Sequence, residues 1–340
     1  MILVTGATGR LGNQIVRVLR SVGQDVRCLV RKGSEYYWLN DTGSAYFFGD
    51  VRDPQSLSRA LRDVQFVVAA HGIRVESTDN NHTNVTAAGS IALFDAAKAR
   101  GAQHVVLVSC AGVASVGGAA GGDVPAFVAK KAAEDHLIAS GLPYTILRPG
   151  LFAANFADLA RRIEANGSVF LPGRADAVVS PVHGRDVALI AMSALDLPAA
   201  RNKIVDIAGP EPMTVEAAMT TMCQVAGLKP HWWKMPPLGL KTAAILARPA
   251  GKRWTNHLRA LDVQFSHDHR VDPVTLSAMF GMPLTPFADA ALSAWQMRHP
   301  SEDPTARDEK VVHRQFTATI YEPGVIKWDD LPAGPPPRQD

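Results

Sequence analysis

The first twelve residues constrain the fold more than any other stretch of the chain. An apolar run at residues 2–4 predicts a short buried strand, and helical periodicity begins at Leu11. Between them lie three glycines at a spacing of three residues. Gly6 permits a sharp turn off the strand, Gly9 lets the backbone approach a diphosphate, and Gly12 lets the helix pack closely. An ordinary glycine-rich turn is the alternative, but the order strand, turn, helix favours a dinucleotide-binding unit.

Length and composition indicate a globular protein with a large core. The chain has 340 residues, enough for about two domains or one large domain with an appendage, and is 47% hydrophobic and 20% charged. No apolar run reaches the ~20 residues of a membrane span. The early strand leaves no place for a secretory signal, and three scattered cysteines predict reduced thiols in the cytoplasm and no metal site. The net charge of +3 is too small to indicate nucleic-acid binding.

Apolar segments alternate with helical segments along the first 150 residues. The predicted strands after the first are 25–30, 45–48, 64–70, 104–110 and 144–147. Because each is an almost unbroken apolar run, we predict a parallel sheet covered by helices on both faces, a doubly wound α/β Rossmann fold. Ligands bind such sheets beyond the carboxyl ends of the strands. The polar residues expected at those ends are Thr5, Arg31, Asp50, His71 and Ser109.

The end of the second strand bears on the choice of cofactor. It carries Arg31 and Lys32 and no acidic residue, whereas an acid here would bind the ribose hydroxyls of NAD. A basic pair attracts the 2′-phosphate of NADP, so the sequence favours NADP over NAD. Arg10 is placed to add to the same phosphate pocket. A solvated basic turn is the alternative interpretation.

Several other polar residues have two interpretations. Asp50 is placed to accept a hydrogen bond from the adenine amino group, and Asp53 to cap the next helix. His71 either contacts cofactor or substrate or has no functional role. Asn155 either contacts the substrate or fixes a helix start. Asp186 is expected to cap the helix that it opens.

The motifs together resemble a known family. The start Thr5-Gly-Ala-Thr-Gly-Arg-Leu-Gly12, the pair Gly49-Asp50, the serine-bearing fifth strand and the segment 140–149 are similar to the atypical short-chain dehydrogenase/reductases, with NmrA-like proteins the nearest branch. That branch includes NADPH-dependent quinone and benzylic-ether reductases, redox sensors that do no chemistry, a photosystem II assembly factor and an accessory subunit of respiratory complex I. The resemblance covers about residues 1–210 and continues weakly through 280–287, which is similar to the complex I branch.

The catalytic pattern of the superfamily is incomplete here. Active members use Tyr-x-x-x-Lys, with the tyrosine as acid/base and the lysine on the nicotinamide ribose. If Lys130 is that lysine, Ala126 takes the tyrosine position; if it is Lys131, Phe127 does. The spacing after the lysine favours Lys130. Only Ser109 remains at a family position to polarise a carbonyl, which favours hydride transfer to a conjugated acceptor, with the proton coming from water, Lys130 or another loop.

The resemblance implies a set of site residues. The residues expected to act on the substrate are Lys130, Ser109 and Asn155. The residues expected to bind the cofactor are Thr5, Gly6, Thr8, Gly9, Arg10, Leu11, Gly12, Arg31, Lys32, Asp50, Val51, Ala70, His71, Ser109, Lys130 and Pro149.

Three regions are expected along the chain. Residues 1–210 form the NAD(P)-binding domain, with 151–182 on the substrate side; 211–298 form a smaller, mostly helical substrate or lid region; and 299–340 form an extended Pro-rich tail. Within the second region, 217–261 lacks Asp and Glu, and its part 229–259 carries seven Lys or Arg residues and three Trp. These basic residues either pair with acids elsewhere in a substrate lid or contact an anionic membrane or a membrane complex. Nucleic acid is the least favoured partner, since no recognition motif is present.

Two functions therefore follow from the sequence. The first is an NADPH-dependent reductase of a small conjugated acceptor, of the quinone or enone type, that lacks the usual tyrosine. The second is a non-catalytic NADP(H) sensor or assembly factor of a photosynthetic or respiratory membrane complex, which would be peripheral at the membrane rather than wholly cytoplasmic.

Overall fold

The structure is a computed structural model that describes residues 1–73, 76–116, 124–234, 239–250, 252–266 and 273–297. Its strands are β1 Ile2–Thr5, β2 Val26–Val30, β3 Ala45–Phe48, β4 Phe66–Ala69, β5 His104–Val108, β6 Tyr144–Pro149, β7 Val169–Leu171, β8 Val178–Val179, β9 Lys203–Ile207, β10 Met213–Thr214 and β11 Trp232–Lys234. Its α-helices are α1 Arg10–Ser21, α2 Pro54–Ala60, α3 Ala88–Ala99, α4 Pro125–Ala139, α5 Ala153–Asn166, α6 Gly184–Ser193, α7 Val215–Val225, α8 Gly239–Leu246, α9 Lys252–Ser266, α10 Pro273–Phe280 and α11 Phe287–Gln296. Shorter helical segments are Tyr37–Thr42, His82–Ala87, Ala111–Ser115, Pro198–Ala200 and Arg248–Ala250.

The central sheet has seven parallel strands in the order β3-β2-β1-β4-β5-β6-β9. Its direction of growth reverses between β1 and β4, so the crevice that binds ligands in doubly wound sheets opens there. The carboxyl ends of β1, β4 and β5 lie side by side at this crevice. The predicted Rossmann fold is confirmed.

Helices cover both faces of the sheet because successive residues of each strand point to opposite sides. Val4 joins a core formed with α1 and α6, in which Ile15 and Ile190 are fully buried. Leu3, the preceding residue, joins the opposite core, formed with α2, α3 and α4. Both faces of the sheet are therefore buried against helices, as the unbroken apolar strands predicted.

The carboxy-terminal part has its own apolar core. Side chains of α5, α7, α9 and α11 meet around Phe156, whose ring centroid lies 6.0 Å from that of Phe265 and 5.7 Å from that of Phe287. The region is mostly helical, as expected, although Leu292 of α11 is partly exposed rather than buried. The limits at residues 210 and 298 stay predictions. The tail 299–340 and residues 117–122 of the glycine-rich loop lie outside the described residues.

Caps and turns explain where several helices begin. Asp53 caps α2 as predicted, because its Oδ1 accepts the N–H of Gln55 at 2.9 Å. A π-helical turn at His82–Ala87 leads directly into α3. The expected capping role of Asp186 is wrong. Its carboxylate instead accepts the N–H of Thr285 at 2.8 Å and the hydroxyl of the same residue at 2.7 Å.

Candidate cofactor and active site

The glycine-rich turn between β1 and α1 is closed on one side and open on the other. Gly6 has φ +71°, and a Cβ there would lie 2.6 Å from the carbonyl oxygen of Ala70 at the end of β4. A Cβ on Gly12 would overlap the carbonyl oxygen of Gly6. Gly9 is exposed and begins α1 without a side-chain cap. The first N–H groups of this helix, which have no intrahelical acceptor, are thus available to an anion.

His71 is held by two hydroxyl groups directly behind this turn. Its Nδ1 lies 2.7 Å from Thr5 Oγ1 and its Nε2 lies 3.1 Å from Ser90 Oγ. Burial, reinforced by the positive charge of Lys130, lowers the pKa of His71 to about 4. A neutral imidazole has one donor and one acceptor nitrogen, so the two hydroxyls satisfy both. The ring is therefore oriented and uncharged at the end of β4.

Lys130 and Ser109 both lie at the carboxyl end of β5. Lys130 Nζ donates a hydrogen bond to the carbonyl oxygen of Val108 at 3.0 Å. Ser109 follows Val108, is 4% exposed, and its Oγ has no hydrogen-bond partner among the described residues. Lys131 instead pairs with Asp135 on the outer side of α4. Of the two lysines, Lys130 is the one that faces the strand ends.

The position of the missing tyrosine is apolar in either alignment. Ala126 is half-buried and Phe127 is fully buried against Gly112, where a Cβ would lie 2.6 Å from the Phe127 ring. Val263 of α9 packs in the same cluster. Neither residue brings a hydroxyl to the site, and the helical C-terminal part covers this position.

An ion pair that the sequence analysis missed lies behind Lys130. Glu134, 1% exposed, accepts two hydrogen bonds from Arg148 and so ties α4 to β6. These bonds raise the pKa of Arg148. The spacing of four residues between Lys130 and Glu134 on one helix face was the available signal. Cys110 lies nearby, and burial raises the pKa of its thiol, which keeps it protonated.

The ends of β2 and β3 form the opposite end of the crevice. We call it the adenosine end, because Arg31 and Asp50, the residues expected to contact the adenosine part of the cofactor, lie there. Arg31 Nη1 donates to Asn80 Oδ1 at 2.8 Å, and Arg52 Nη1 donates to the carbonyl oxygen of Asp79 at 2.7 Å. Arg52 also binds the Asp50 carboxylate through Nε and Nη2, at 3.0 and 2.6 Å, and these bonds lower the pKa of Asp50. Two guanidinium groups thus converge on one turn. Arg52 was missed because its neighbours suggested only a helix cap.

The other expected cofactor residues lie along the same edge. Lys32 is exposed in the turn after β2, and Val51 is buried after β3. Thr8 and Leu11 are partly buried in the glycine-rich turn and the first turn of α1. Pro149 is buried at the end of β6.

Two expected residues have partners that bear on their roles. Arg10 forms a bidentate ion pair with Asp158 of α5, with both N–O distances 2.9 Å. Asn155 Oδ1 accepts the N–H of Phe152 at 2.8 Å, which is the helix-start role weighed above.

The exposed glycine turn and the orphaned Ser109 hydroxyl fit a dinucleotide laid across the sheet, so the fold and the site define a dinucleotide-binding Rossmann protein. The chain belongs to the NAD(P)H-binding family, whose model matches residues 6–198. It is 29% identical over 302 residues to the (4-alkanoyl-5-oxo-2,5-dihydrofuran-3-yl)methyl phosphate reductase of Streptomyces griseus subsp. griseus, covering 88% of this chain and 98% of that protein. It is 27% identical over 242 residues to the photosystem II assembly factor Ycf39 of Trieres chinensis, covering 71% of this chain and 73% of Ycf39.

The fold is also similar to a solved structure. The NADPH-dependent quinone oxidoreductase QOR2 of Escherichia coli, complexed with NADPH, superposes with a TM-score of 0.68 at 21% identity, over 86% of this chain and 98% of QOR2. Among the residues that the structure describes, no helix has the length and apolarity of a membrane span, and no three His, Cys, Asp or Glu side chains are grouped to hold a metal ion.

Proposed function

We propose that this protein is an NADPH-dependent reductase of small conjugated acceptors such as quinones and enones. The observation that carries the proposal is that Lys130 binds the carbonyl oxygen of Val108 at the end of β5, next to Ser109, whose buried hydroxyl has no hydrogen-bond partner among the described residues. A buried hydroxyl without a partner is costly unless a ligand satisfies it. The near full-length similarity to a reductase supports the same assignment.

Each residue has a distinct task in this reaction. The nicotinamide cofactor, when bound, supplies the hydride. Ser109 donates a hydrogen bond to the acceptor oxygen that gains negative charge, and Lys130 holds the nicotinamide ribose and stabilises that charge. The proton that completes the reduction comes from water. A conjugated acceptor spreads the charge over several atoms, so it needs a weaker acid than an isolated ketone does. The absence of a hydroxyl at both Ala126 and Phe127 is therefore compatible with turnover.

NADPH rather than NADH is the proposed cofactor. Arg31 and Lys32 lie at the end of β2 without an acidic residue, and Arg52 adds a second guanidinium close to Arg31. A phosphate monoester bound by arginines receives several charge-assisted hydrogen bonds. A ribose without the phosphate gains none of them.

Stopped-flow spectroscopy tests the proposed activity. The protein loaded with NADPH is mixed with a panel of quinones, enones and unsaturated lactones, and NADPH oxidation is followed by absorbance. We expect turnover with at least one acceptor, and its loss in Lys130→Met. Tight NADPH binding without turnover of any acceptor would reject the reductase and favour the second candidate.

We propose as the second candidate a non-catalytic NADP(H)-binding protein that docks at a membrane complex. It is favoured by an exposed aromatic pair: Phe170 of β7 and Trp233 of β11 are register partners and are 60% and 56% exposed. Ile245 and Leu246 at the end of α8 are exposed as well. Apolar side chains beside an excess of Lys and Arg suit an anionic membrane surface. The similarity to an assembly factor supports this candidate.

Sedimentation with liposomes tests the second candidate. Vesicles with 30% anionic lipid should retain the protein at low salt, and Phe170→Ser with Trp233→Ser should release it. Ile138→Ser, which replaces an exposed apolar residue of α4, is the matched control. A protein that stays in the supernatant with anionic vesicles at low salt, and that pulls down nothing from membranes, would reject this candidate.

A further inference from the structure

Arg10 occupies the place where the diphosphate of a dinucleotide is bound. It is the first residue of α1, directly after the exposed Gly9, and it is the one charged residue between positions 5 and 12. Helix N-termini of this kind bind phosphate through N–H groups and the helix dipole. A guanidinium at this position is able to add charge-assisted bonds to the same anion.

The guanidinium is already bound to a carboxylate, however. Arg10 and Asp158 form two parallel N–H···O bonds of 2.9 Å, and their side chains are 28% and 29% exposed. Partly exposed ion pairs of this kind stabilise a fold only slightly, because solvent screens the two charges. A doubly charged diphosphate entering the turn would therefore compete for Arg10 on favourable terms.

Asp158 has a second cation that keeps it paired when Arg10 leaves. Arg161 Nη1 donates to Asp158 Oδ1 at 3.1 Å. Arg161 Nη2 is fixed in turn by the carbonyl oxygens of Ala294, Trp295 and Met297 at the end of α11. When Arg10 moves from Asp158 to the diphosphate, Asp158 is still paired with Arg161, so the cost of the exchange is small.

We propose that Arg10 exchanges between Asp158 and the diphosphate of the cofactor, and that Asp158 thereby weakens cofactor binding. This inference rests on the dinucleotide binding that the proposed function requires. Asp158 competes for the cation and repels the diphosphate. Since both effects act on the diphosphate alone, they apply equally to NADPH and NADH, unlike the effect of Arg31. The pair therefore sets how readily either nucleotide leaves.

Calorimetric titration of the full chain with NADPH, NADH and adenosine 2′-monophosphate tests the exchange. In Asp158→Asn we expect both dinucleotides to bind ~5-fold tighter. Adenosine 2′-monophosphate has no phosphate at the 5′ position to reach the glycine-rich turn and should bind with unchanged affinity. Arg10→Gln should weaken the binding of both dinucleotides. Asp158→Asn should then raise the affinity less in the Arg10→Gln background than it does in the natural chain.

Asp41→Asn is a matched control. Arg17 of the same helix binds Asp41 with the same two distances of 2.9 Å, two turns away from the glycine-rich turn. This variant should leave all three affinities unchanged. Thermal unfolding monitored by circular dichroism identifies variants that are merely destabilised, and Asp158→Ala repeats the test with a different side chain.

The outcomes separate this inference from the proposed function. If the natural chain binds neither dinucleotide, the proposed function fails. If it binds both and Asp158→Asn and Asp158→Ala leave the affinities unchanged or lower, the exchange alone is rejected. Equal tightening of adenosine 2′-monophosphate would also reject it, because the effect would then be general electrostatics.

Discussion

The two ends of the crevice differ in how they hold charge. At the adenosine end, Arg31, Asp50 and Arg52 are accessible to solvent and bind one another or nearby backbone oxygens. At the end that we assign to the nicotinamide, where β4 and β5 terminate, His71 is neutral and the buried Ser109 hydroxyl has no hydrogen-bond partner among the described residues. The first end presents charges that solvent already stabilises, whereas the second keeps polar groups out of water. Exposed charges select a ligand modestly, and desolvated groups act strongly on a reacting atom.

The largest expected effect is at the nicotinamide end. Lys130→Met should lower kcat for quinone reduction ~10²- to 10³-fold, because it removes the charge that stabilises the reduced acceptor. Lys131→Met is the matched control and should leave kcat unchanged, since Lys131 faces outward beside Asp135. Steady-state kinetics measures both variants. Equal losses of kcat in the two variants would contradict the role assigned to Lys130 at the nicotinamide end.

Acid should destabilise the nicotinamide end before the adenosine end. The folded-state pKa of His71 is about 4 and its ordinary value is 6.5, so between these values the unfolded chain binds a proton that the folded chain does not. The contribution of His71 to the free energy of unfolding is therefore fully present above pH 6.5. It falls by on the order of 2–3 kcal/mol as the pH approaches 4. Arg52 lowers the pKa of Asp50, so the stability from that carboxylate is lost only below its ordinary value of 3.8.

Urea denaturation at a series of pH values measures this difference. His71→Gln should reduce the loss of stability between pH 6.5 and 4. His104, whose pKa burial also lowers to about 4, lies at the other end of β5 and serves as the comparison residue. A pH profile that His71→Gln does not alter would contradict the assignment.

Ser109→Ala should separate activity from stability. We expect kcat to fall ~10-fold or more through loss of the hydroxyl that polarises the acceptor. The free energy of unfolding should stay the same or rise, because the hydroxyl is buried and has no hydrogen-bond partner in the part of the chain that the structure describes. Thr145→Val is the contrasting variant: its hydroxyl donates to Ala200 O at 2.8 Å and lies 3.0 Å from His104 Nε2, so its loss should destabilise. A stability loss in Ser109→Ala would point to a structural role.

The smallest expected effect is at the adenosine end. Arg31→Ala should weaken NADPH ~10-fold and leave NADH nearly unchanged, because it removes hydrogen bonds to the 2′-phosphate only. Arg52→Ala should act in the same direction. Arg59→Ala, on α2, is the control for a general loss of positive charge. Calorimetric titration at low salt measures these affinities. Equal weakening of NADPH and NADH would contradict the proposal that the 2′-phosphate binds at this end.

The fold could be predicted because its signals are local. The apolar run at 45–48 is the third strand as expected, and Asp53 and Thr214 cap the helices that follow them. The π-helical turn at 82–87 was missed because a 3.6-residue periodicity assumes regular α-helix. The short strand pair of β7 and β11 was missed because three residues carry too little pattern.

The site was less predictable because its contacts join distant parts of the chain. The partner of Arg10 lies 148 residues away and that of Asp186 lies 99 residues away. The glycine motif indicates that Arg10 lies near a phosphate site. Its carboxylate partner, Asp158, could not be predicted, because only the packing of α5 brings the two side chains together. The orientation of Lys130 toward the strand ends and of Lys131 away from them was predictable, since spacing along one helix determines which face each residue occupies.

The bonds from Thr285 to Asp186 tie the last helices to the nucleotide-binding body. Burial raises the pKa of Asp186, and the two hydrogen bonds from Thr285 oppose this shift, together with the nearby His183 and Arg185. A chain cut before residue 285 would leave this carboxyl group in an apolar interior with two acceptor oxygens stripped of their donors. The segment after the family's matched region is therefore a structural component of the nucleotide-binding fold, and truncated versions should fold poorly even if their Rossmann sequence is intact.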